Sequence, residues 1–212
     1  MELQFKTGVT IRVRIFLAPI SNVSLDYAQL LDNRRREKVK RYRLDDDKKR
    51  CVLGGLLIRH FLGDVEILIN EYGKPFLKDG RFFNISHSGD YVLFALSESE
   101  VGCDIEQLRY VNALRTGRAV FTDEEMNLIL SDKDRLGAFY NLWTKKESLL
   151  KCIGEGFHRS AKSVDVCSDI VEEKGKSCFM KIWNFADYTV SVCSEKNDFP
   201  GFIEFVTVEE LI

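Results

Sequence analysis

Proline is scarce in this 212-residue chain, with three residues beside fourteen glycines. Collagen-like repeats and proline-rich linkers are thereby excluded. Long apolar runs are missing as well. The longest strongly apolar stretch, residues 51–58, is closed off by Arg50 and Arg59, far short of the roughly 20 residues that span a bilayer. Near the N-terminus Glu2, Lys6, Arg12 and Arg14 interrupt the apolar residues, so no signal-type segment is expected; the protein is expected to be cytoplasmic and to make no use of a membrane. The six cysteines (51, 103, 152, 167, 178 and 193) contain no CxxC pair and no histidine at zinc-finger spacing. Neither a disulfide framework nor a zinc site is expected, and they read as small core residues. What remains is 45% hydrophobic and 30% charged residues, the composition of one large globular domain or two small ones.

The net charge of −2 conceals an asymmetry. Residues 33–50 hold ten Lys/Arg against four Asp/Glu, a local +6 against −8 for the rest, which suits an anionic partner. The acidic balance elsewhere gives little drive toward a nucleic-acid polyanion, and none is expected.

Val9, Ile11, Val13, Ile15 and Leu17 alternate with Thr10, Arg12, Arg14 and Phe16, the period of a half-buried strand. Apolar residues at three- and four-residue steps then predict a basic helix over 25–42 and an apolar one over 47–62, ended by Gly63. Strands are predicted over 65–70, 82–85, 91–97 and 101–106, and helices over 112–120, 123–130 and 136–153, with Thr122 and Glu125 spaced as a capping box. Strands return at 163–167, 178–183, 188–193 and 202–206. The second half thus repeats the order of the first, and residues 91–98 (YVLFALSE) echo 188–195 (YTVSVCSE). A duplication with a seam near residue 100 accounts for this; so do two unrelated alternating strands.

Asp104 and Glu106 stand two apart on a predicted strand and so share a face. Adjacent like charges repel unless a cation separates them. The same alternation also describes any half-exposed strand, so partners are needed to make it a site. Over residues 136–153, Leu136, Phe139, Tyr140, Trp143 and Leu150 form one apolar stripe, and Glu147 falls within that arc. A carboxylate among aromatic and aliphatic neighbours is costly unless compensated. An ordinary surface pair with Lys151 at i+4 is the alternative. Together Asp104, Glu106 and Glu147 would make a hard oxygen site of the magnesium kind. His87 lies between Ser86 and Ser88 and just before Gly89, at a strand end, with Arg35, Lys38, Arg50 and Lys74 upstream. Cations beside a carboxylate-bound metal describe a site for a multiply charged phosphate ester.

These residues resemble the 4′-phosphopantetheinyl transferases, specifically the larger pseudo-dimeric type that activates peptide synthetases. VGCDIE (101–106) and WTKKESLLK (143–151) carry the resemblance, supported by YGKP (72–75), NISHS (84–88), FTDEE (121–125) and GEG (154–156). It extends over about residues 32–157.

The resemblance implies an α+β fold of two similar halves, 1–100 and 101–212, related by a pseudo-two-fold, with the active site in the cleft between them and no second copy required. It implies magnesium, or manganese in its place, on Asp104, Glu106 and Glu147. Coenzyme A would be held by Arg35, Lys38, Arg50, Lys74, Ser86, His87, Asp104, Lys146 and Lys151. The reaction implied is attack of a carrier-protein serine on the β-phosphorus of coenzyme A, with adenosine 3′,5′-bisphosphate leaving. Glu147 would accept the serine proton and Lys151 would stabilise phosphate charge. The intact carboxylates and Lys151 argue against a relative that merely binds coenzyme A or the carrier. The apo acyl or peptidyl carrier protein is expected to dock beside residues 109–121, where Tyr110, Val111, Leu114, Ala119, Val120 and Phe121 accompany Arg109, Arg115 and Arg118; the alternative is that Leu114, Val120 and Phe121 simply pack inward.

Overall fold

The computed structural model describes residues 12–155 and 159–212. Strand β1 (Arg14–Pro19) opens the described chain; positions 9–11 of the expected first strand lie outside it. The basic segment is not one helix. It forms a 3-10 turn (Leu25–Leu30) and then α1 (Asn33–Arg41), because the Asp32 carboxylate accepts the Arg35 N–H at 2.9 Å and starts a new helix there. Helix α2 (Asp45–Leu62) carries Asp45, Asp46 and Asp47 in its first turn and Arg59 and His60 in its last, matching the helix dipole at both ends. Its apolar run is buried all round.

Strands β2 (Leu68–Ile69) and β3 (Pro75–Phe76) form a small hairpin, all that remains of the strand expected over 65–70. They are followed by β4 (Phe82–Ser88), β5 (Tyr91–Ser97) and β6 (Val101–Gln107). Helices α3 (Ala113–Val120), α4 (Asp123–Ser131) and α5 (Arg135–Ile153) come next, α4 with the complete Thr122/Glu125 capping box. Residues 163–167 are not a strand: a 3-10 turn (Ala161–Ser163) leads into irregular backbone whose Val164 and Val166 are nevertheless buried. Strands β7 (Ile170–Glu173), β8 (Lys176–Phe185), β9 (Tyr188–Ser194) and β10 (Glu204–Phe205) complete the order. β7 escapes sequence patterning because it is a short edge strand of two apolar and two acidic residues.

The fold is α+β and internally repeated. One sheet has the order β10-β1-β5-β4 and the other β6-β9-β8-β7. In each, the echoed strand, β5 or β9, lies between two antiparallel partners. The turns repeat as well: Ile20 N–H donates to the Asp90 carbonyl at 2.9 Å, and Leu108 N–H to the Asp187 carbonyl at 2.7 Å. Tyr91 and Tyr188, which open the echoed strands, meet edge to face at 5.0 Å.

Three apolar layers result. Helix α2 packs on the first sheet around Phe16, Phe83 and Phe94, and α4 and α5 pack on the second around Phe121, Ile129, Phe139 and Leu149. Between the sheets, Ile15, Leu17, Leu93 and Ala95 meet Cys103, Ile105, Val190 and Val192. The chain's end does not stay with the second half. β10 pairs in parallel with β1, the Glu204 carboxylate takes an ion pair from Arg14 at 2.9 Å, and Val206, Val208 and Leu211 enter the first half's core. Among the described residues no helix is long and apolar enough to cross a membrane.

Along β6, Val101, Cys103 and Ile105 face the other sheet, leaving Gly102, Asp104 and Glu106 toward α5. Helix α5 sits so close that a Cβ on Gly102 would lie 2.1 Å from the Ser148 carbonyl oxygen and 2.3 Å from the Cys152 nitrogen. Both are backbone atoms and cannot move alone. Gly102→Ala is therefore expected to destabilise the protein by about 1–3 kcal/mol or more, read from the denaturant midpoint; an unchanged midpoint would mean that α5 is not seated on this residue.

Candidate active site

Strands β4 and β6 are edges of different sheets, and side chains of one reach the other. Asn84 Oδ1 accepts the Cys103 N–H at 3.0 Å, Ser86 Oγ donates to Asp104 Oδ1 at 2.8 Å, and Ser88 Oγ donates to Glu106 Oε2 at 2.8 Å. Ser88 Oγ also accepts the Gln107 N–H at 3.1 Å. Alternate residues of β4 thus fasten β6 at the seam of the two halves. Sequence reading picked out Ser86 and passed over Asn84 and Ser88, although their spacing of two puts all three on one face.

Helix α5 closes the site from the other side. Lys151 Nζ pairs with Asp104 Oδ1 at 2.5 Å and donates to Ser86 Oγ at 3.1 Å. Burial is the largest single influence and pulls this lysine down, but Asp104, Cys103 and Glu147 together hold it above its usual value. Asp104 is 4% exposed, and its second oxygen, Oδ2, is buried without a hydrogen-bond partner. Glu106 and Glu147 are raised above the usual carboxylate range, first by burial and then by the charge of Asp104; Glu106 adds to the effect on Glu147, and Lys151 opposes it on both. The three carboxylates therefore share one electrostatic environment. They stand further apart than a closed ligand set, since among the described residues the one trio with all ligand atoms within 4.8 Å is elsewhere. Lys151 supplies the positive charge paired with Asp104. An orphaned buried carboxylate oxygen flanked by two destabilised carboxylates fits a hard divalent cation.

The cationic wall comes from the first half. Arg50, on α2, donates to the Gly89 carbonyl at 2.5 Å and to Asp47 at 2.6 Å, fastening that helix to the β4–β5 turn. His87 is exposed beside it and held below its ordinary value, first by desolvation and then by the charges of Arg50, Lys151 and Lys38. Lys38 is exposed on α1. Arg35 lies across α2, its stem over Gly55, and shares the surroundings of Tyr42 with Arg50. Positive groups that oppose one another's charge are relieved by an entering anion.

Two lysines expected to hold coenzyme A have protein partners in this structure. Lys74 Nζ pairs with Glu100 at 2.5 Å and donates to the Cys152 carbonyl at 2.9 Å, bridging the halves behind the site. Lys146 is 1% exposed and turns inward to Glu125, itself 0% exposed, at 2.8 Å, and to the carbonyls of Ala161 at 2.8 Å and Val164 at 2.5 Å. Those partners account for all three of its N–H donors, so no donor is left for a ligand. Glu125, which sequence reading used only as a cap, also accepts the Val166 N–H at 2.8 Å. The two side chains satisfy the backbone of 161–166, so this segment is buried without strand partners.

The sequence agrees with this architecture along its length. Residues 100–199 match the family model of the 4′-phosphopantetheinyl transferase superfamily, and residues 18–99 that of the 4′-phosphopantetheinyl transferase N-terminal region. The 4′-phosphopantetheinyl transferase Sfp of Bacillus subtilis (strain 168) is 30% identical over 205 residues, which cover 88% of this chain and 92% of that protein. The 4′-phosphopantetheinyl transferase ffp of Bacillus subtilis is 31% identical over 197 residues (84% of this chain, 88% of that one), and gsp of Aneurinibacillus migulanus 38% over 122 (53% and 51%). The chain belongs to the 4′-phosphopantetheinyl transferase family and is Sfp-like.

Removing one partner of a buried ion pair strands the other, at about 3–5 kcal/mol. Lys146→Met is accordingly expected to lose that much stability in chemical unfolding; a stable variant whose only defect is weaker coenzyme A binding would return Lys146 to the ligand. Glu147 gives the opposite sign. Its folded pKa lies above the unfolded one, so its contribution to stability is full below the unfolded value near 4.3 and is lost as pH rises through the folded value. At neutral pH without divalent metal, Glu147→Gln should be more stable than the parent by about 0.5–2 kcal/mol, with magnesium narrowing the gap. Calorimetric melting with and without the ion checks both parts.

Proposed function

We propose that this protein transfers the 4′-phosphopantetheine group of coenzyme A to a serine hydroxyl of an apo acyl or peptidyl carrier protein, releasing adenosine 3′,5′-bisphosphate. The observation that carries the reading is the meeting of Asp104, Glu106 and Glu147 with Lys38, Arg50, His87 and Lys151 at one seam, with Asp104 Oδ2 buried and unpaired. Magnesium on the three carboxylates, or manganese in its place, would neutralise charge on the pyrophosphate. Arg50, Lys38 and His87 are suited to the remaining phosphate oxygens by charge-assisted hydrogen bonds. Lys151, already fixed by Asp104 and Ser86, needs little reorganisation to donate to phosphate, a preorganised electrostatic contribution.

Glu147 has no hydrogen-bond partner among the described residues, and burial and then the charge of Asp104 raise its pKa above the usual carboxylate range, which makes it a stronger base than an ordinary carboxylate. In the proposed step the serine oxygen forms a bond to the β-phosphorus, its proton passes to Glu147, and the bond from that phosphorus to the bisphosphate oxygen breaks. For the carrier, the segment after β6 offers Tyr110, 94% exposed, with exposed Arg109, Arg115, Arg118 and Ala119. Phe121 is fully buried and takes no part in docking, and the Leu114 side chain lies outside the described structure.

Intact-mass spectrometry of apo carrier proteins incubated with this protein, coenzyme A and magnesium tests the reading. Modification should require the ion, and Asp104→Asn should lower turnover about 10²–10³-fold or more. Arg50→Ala should weaken coenzyme A binding by about 1.5–3 kcal/mol in calorimetric titration. Carriers modified by Asp104→Asn at the parental rate would refute the assignment.

A further inference from the structure

Three of the six cysteines, far apart in sequence, come together in the second half. Cys152 from the last turn of α5, Cys178 from β8 and Cys193 from β9 are all buried, and their sulfurs lie within 4.8 Å of one another. We propose that Cys152, Cys178 and Cys193 form a three-coordinate site for a soft, thiolate-preferring ion of the cuprous class.

Geometry is the first argument. With metal–sulfur bonds of about 2.3 Å, a trigonal site needs sulfurs roughly 4 Å apart, so shifts of less than an ångström close this one. Donor chemistry is the second. No histidine, carboxylate or further cysteine joins the trio among the described residues, and its buried position admits no solvent ligand. Structural zinc requires four ligands, whereas a closed set of three sulfurs suits a soft monovalent ion. The nearest additional donor type in the same core is also soft: Met180 stands opposite Cys193 across β8 and β9.

Charge is the third. Three thiol protons must leave as the ion enters, giving the site a net charge of −2. Thiol hydrogen bonds within the trio, and then burial, hold Cys152 and Cys193 well above the usual thiol range, so the ion must displace their protons; Lys74 and Lys176 lie close enough to Cys152 and Cys178 to offset part of that cost. Cys152 directly follows Lys151, so an ion here would pin the turn carrying Lys151 to the strands beneath it.

The test uses the full chain with Cys167→Ser, which removes the exposed cysteine, and cuprous ion supplied anaerobically from a chromogenic chelator. One equivalent per folded chain should be withdrawn from the chelator, and X-ray absorption should find three sulfur neighbours and no nitrogen or oxygen. Cys178→Ala in the same background should lose affinity about a hundredfold or more, its fold checked by circular dichroism. Should that variant not fold, the sulfur count on the intact trio decides alone. Zinc retained in preference to copper, copper held equally by folded Cys178→Ala, fewer than three sulfurs, or no uptake by the folded chain would each overturn the proposal.

Discussion

Everything at the seam depends on the ion pair between Lys151 and Asp104. One carboxylate oxygen takes the ammonium at 2.5 Å and the Ser86 hydroxyl at 2.8 Å, so a single atom ties together α5, β6 and β4, elements of both halves. The other oxygen is left buried and unpaired. Such an atom costs free energy in the absence of a partner, and here it belongs to the carboxylate whose charge, after burial, makes Glu106 and Glu147 reluctant to ionise. The arrangement stores electrostatic strain that a cation relieves, while desolvation and then the cations opposite, Arg50, Lys151 and Lys38, hold His87 below its ordinary pKa in a field that an anion relieves. The two walls want opposite charges, and a metal-bound phosphate ester carries both.

That pair is possible only because α5 can lie against β6. Gly102 removes the one side chain that would collide with the helix backbone, and two residues further on the same face carries Asp104. Behind the contact, Lys146 and Glu125 anchor the helix to α4 and to the loop at 161–166. Consecutive residues of α5 thus divide their tasks: Lys146 is spent inward on packing, and Glu147, 100° further round the helix, faces the seam.

Much of this was legible in the sequence where periodicity and burial coincide. Residues 136–153 read as one helix because the apolar stripe is long, and Glu147 stood out by sitting in it. Asp104 and Glu106 shared a face by strand alternation alone. Failures occurred where long-range contacts replace local signals. Lys146 and Lys151 look alike in WTKKESLLK, and only the fold shows that Glu125 waits for one and Asp104 for the other. Residues 163–167 alternate like a strand but take their backbone partners from side chains. The basic segment read as one helix because its charge pattern hides the break at Asp32, and the convergence of Cys152, Cys178 and Cys193 has no counterpart in their spacing.

The return of β10 to β1 bears on how the chain comes into being. During synthesis the first sheet can form its β1-β5-β4 portion early, yet among the described residues the other edge of β1 gains its partner only when Glu204 and Phe205 emerge. Unpaired strand edges invite pairing with other chains, and contacts of this sequence separation form slowly. The first sheet can therefore be completed only after the second half has been synthesised. The pseudo-dimer is covalently one chain and also topologically latched, because the last strand made completes the first sheet begun.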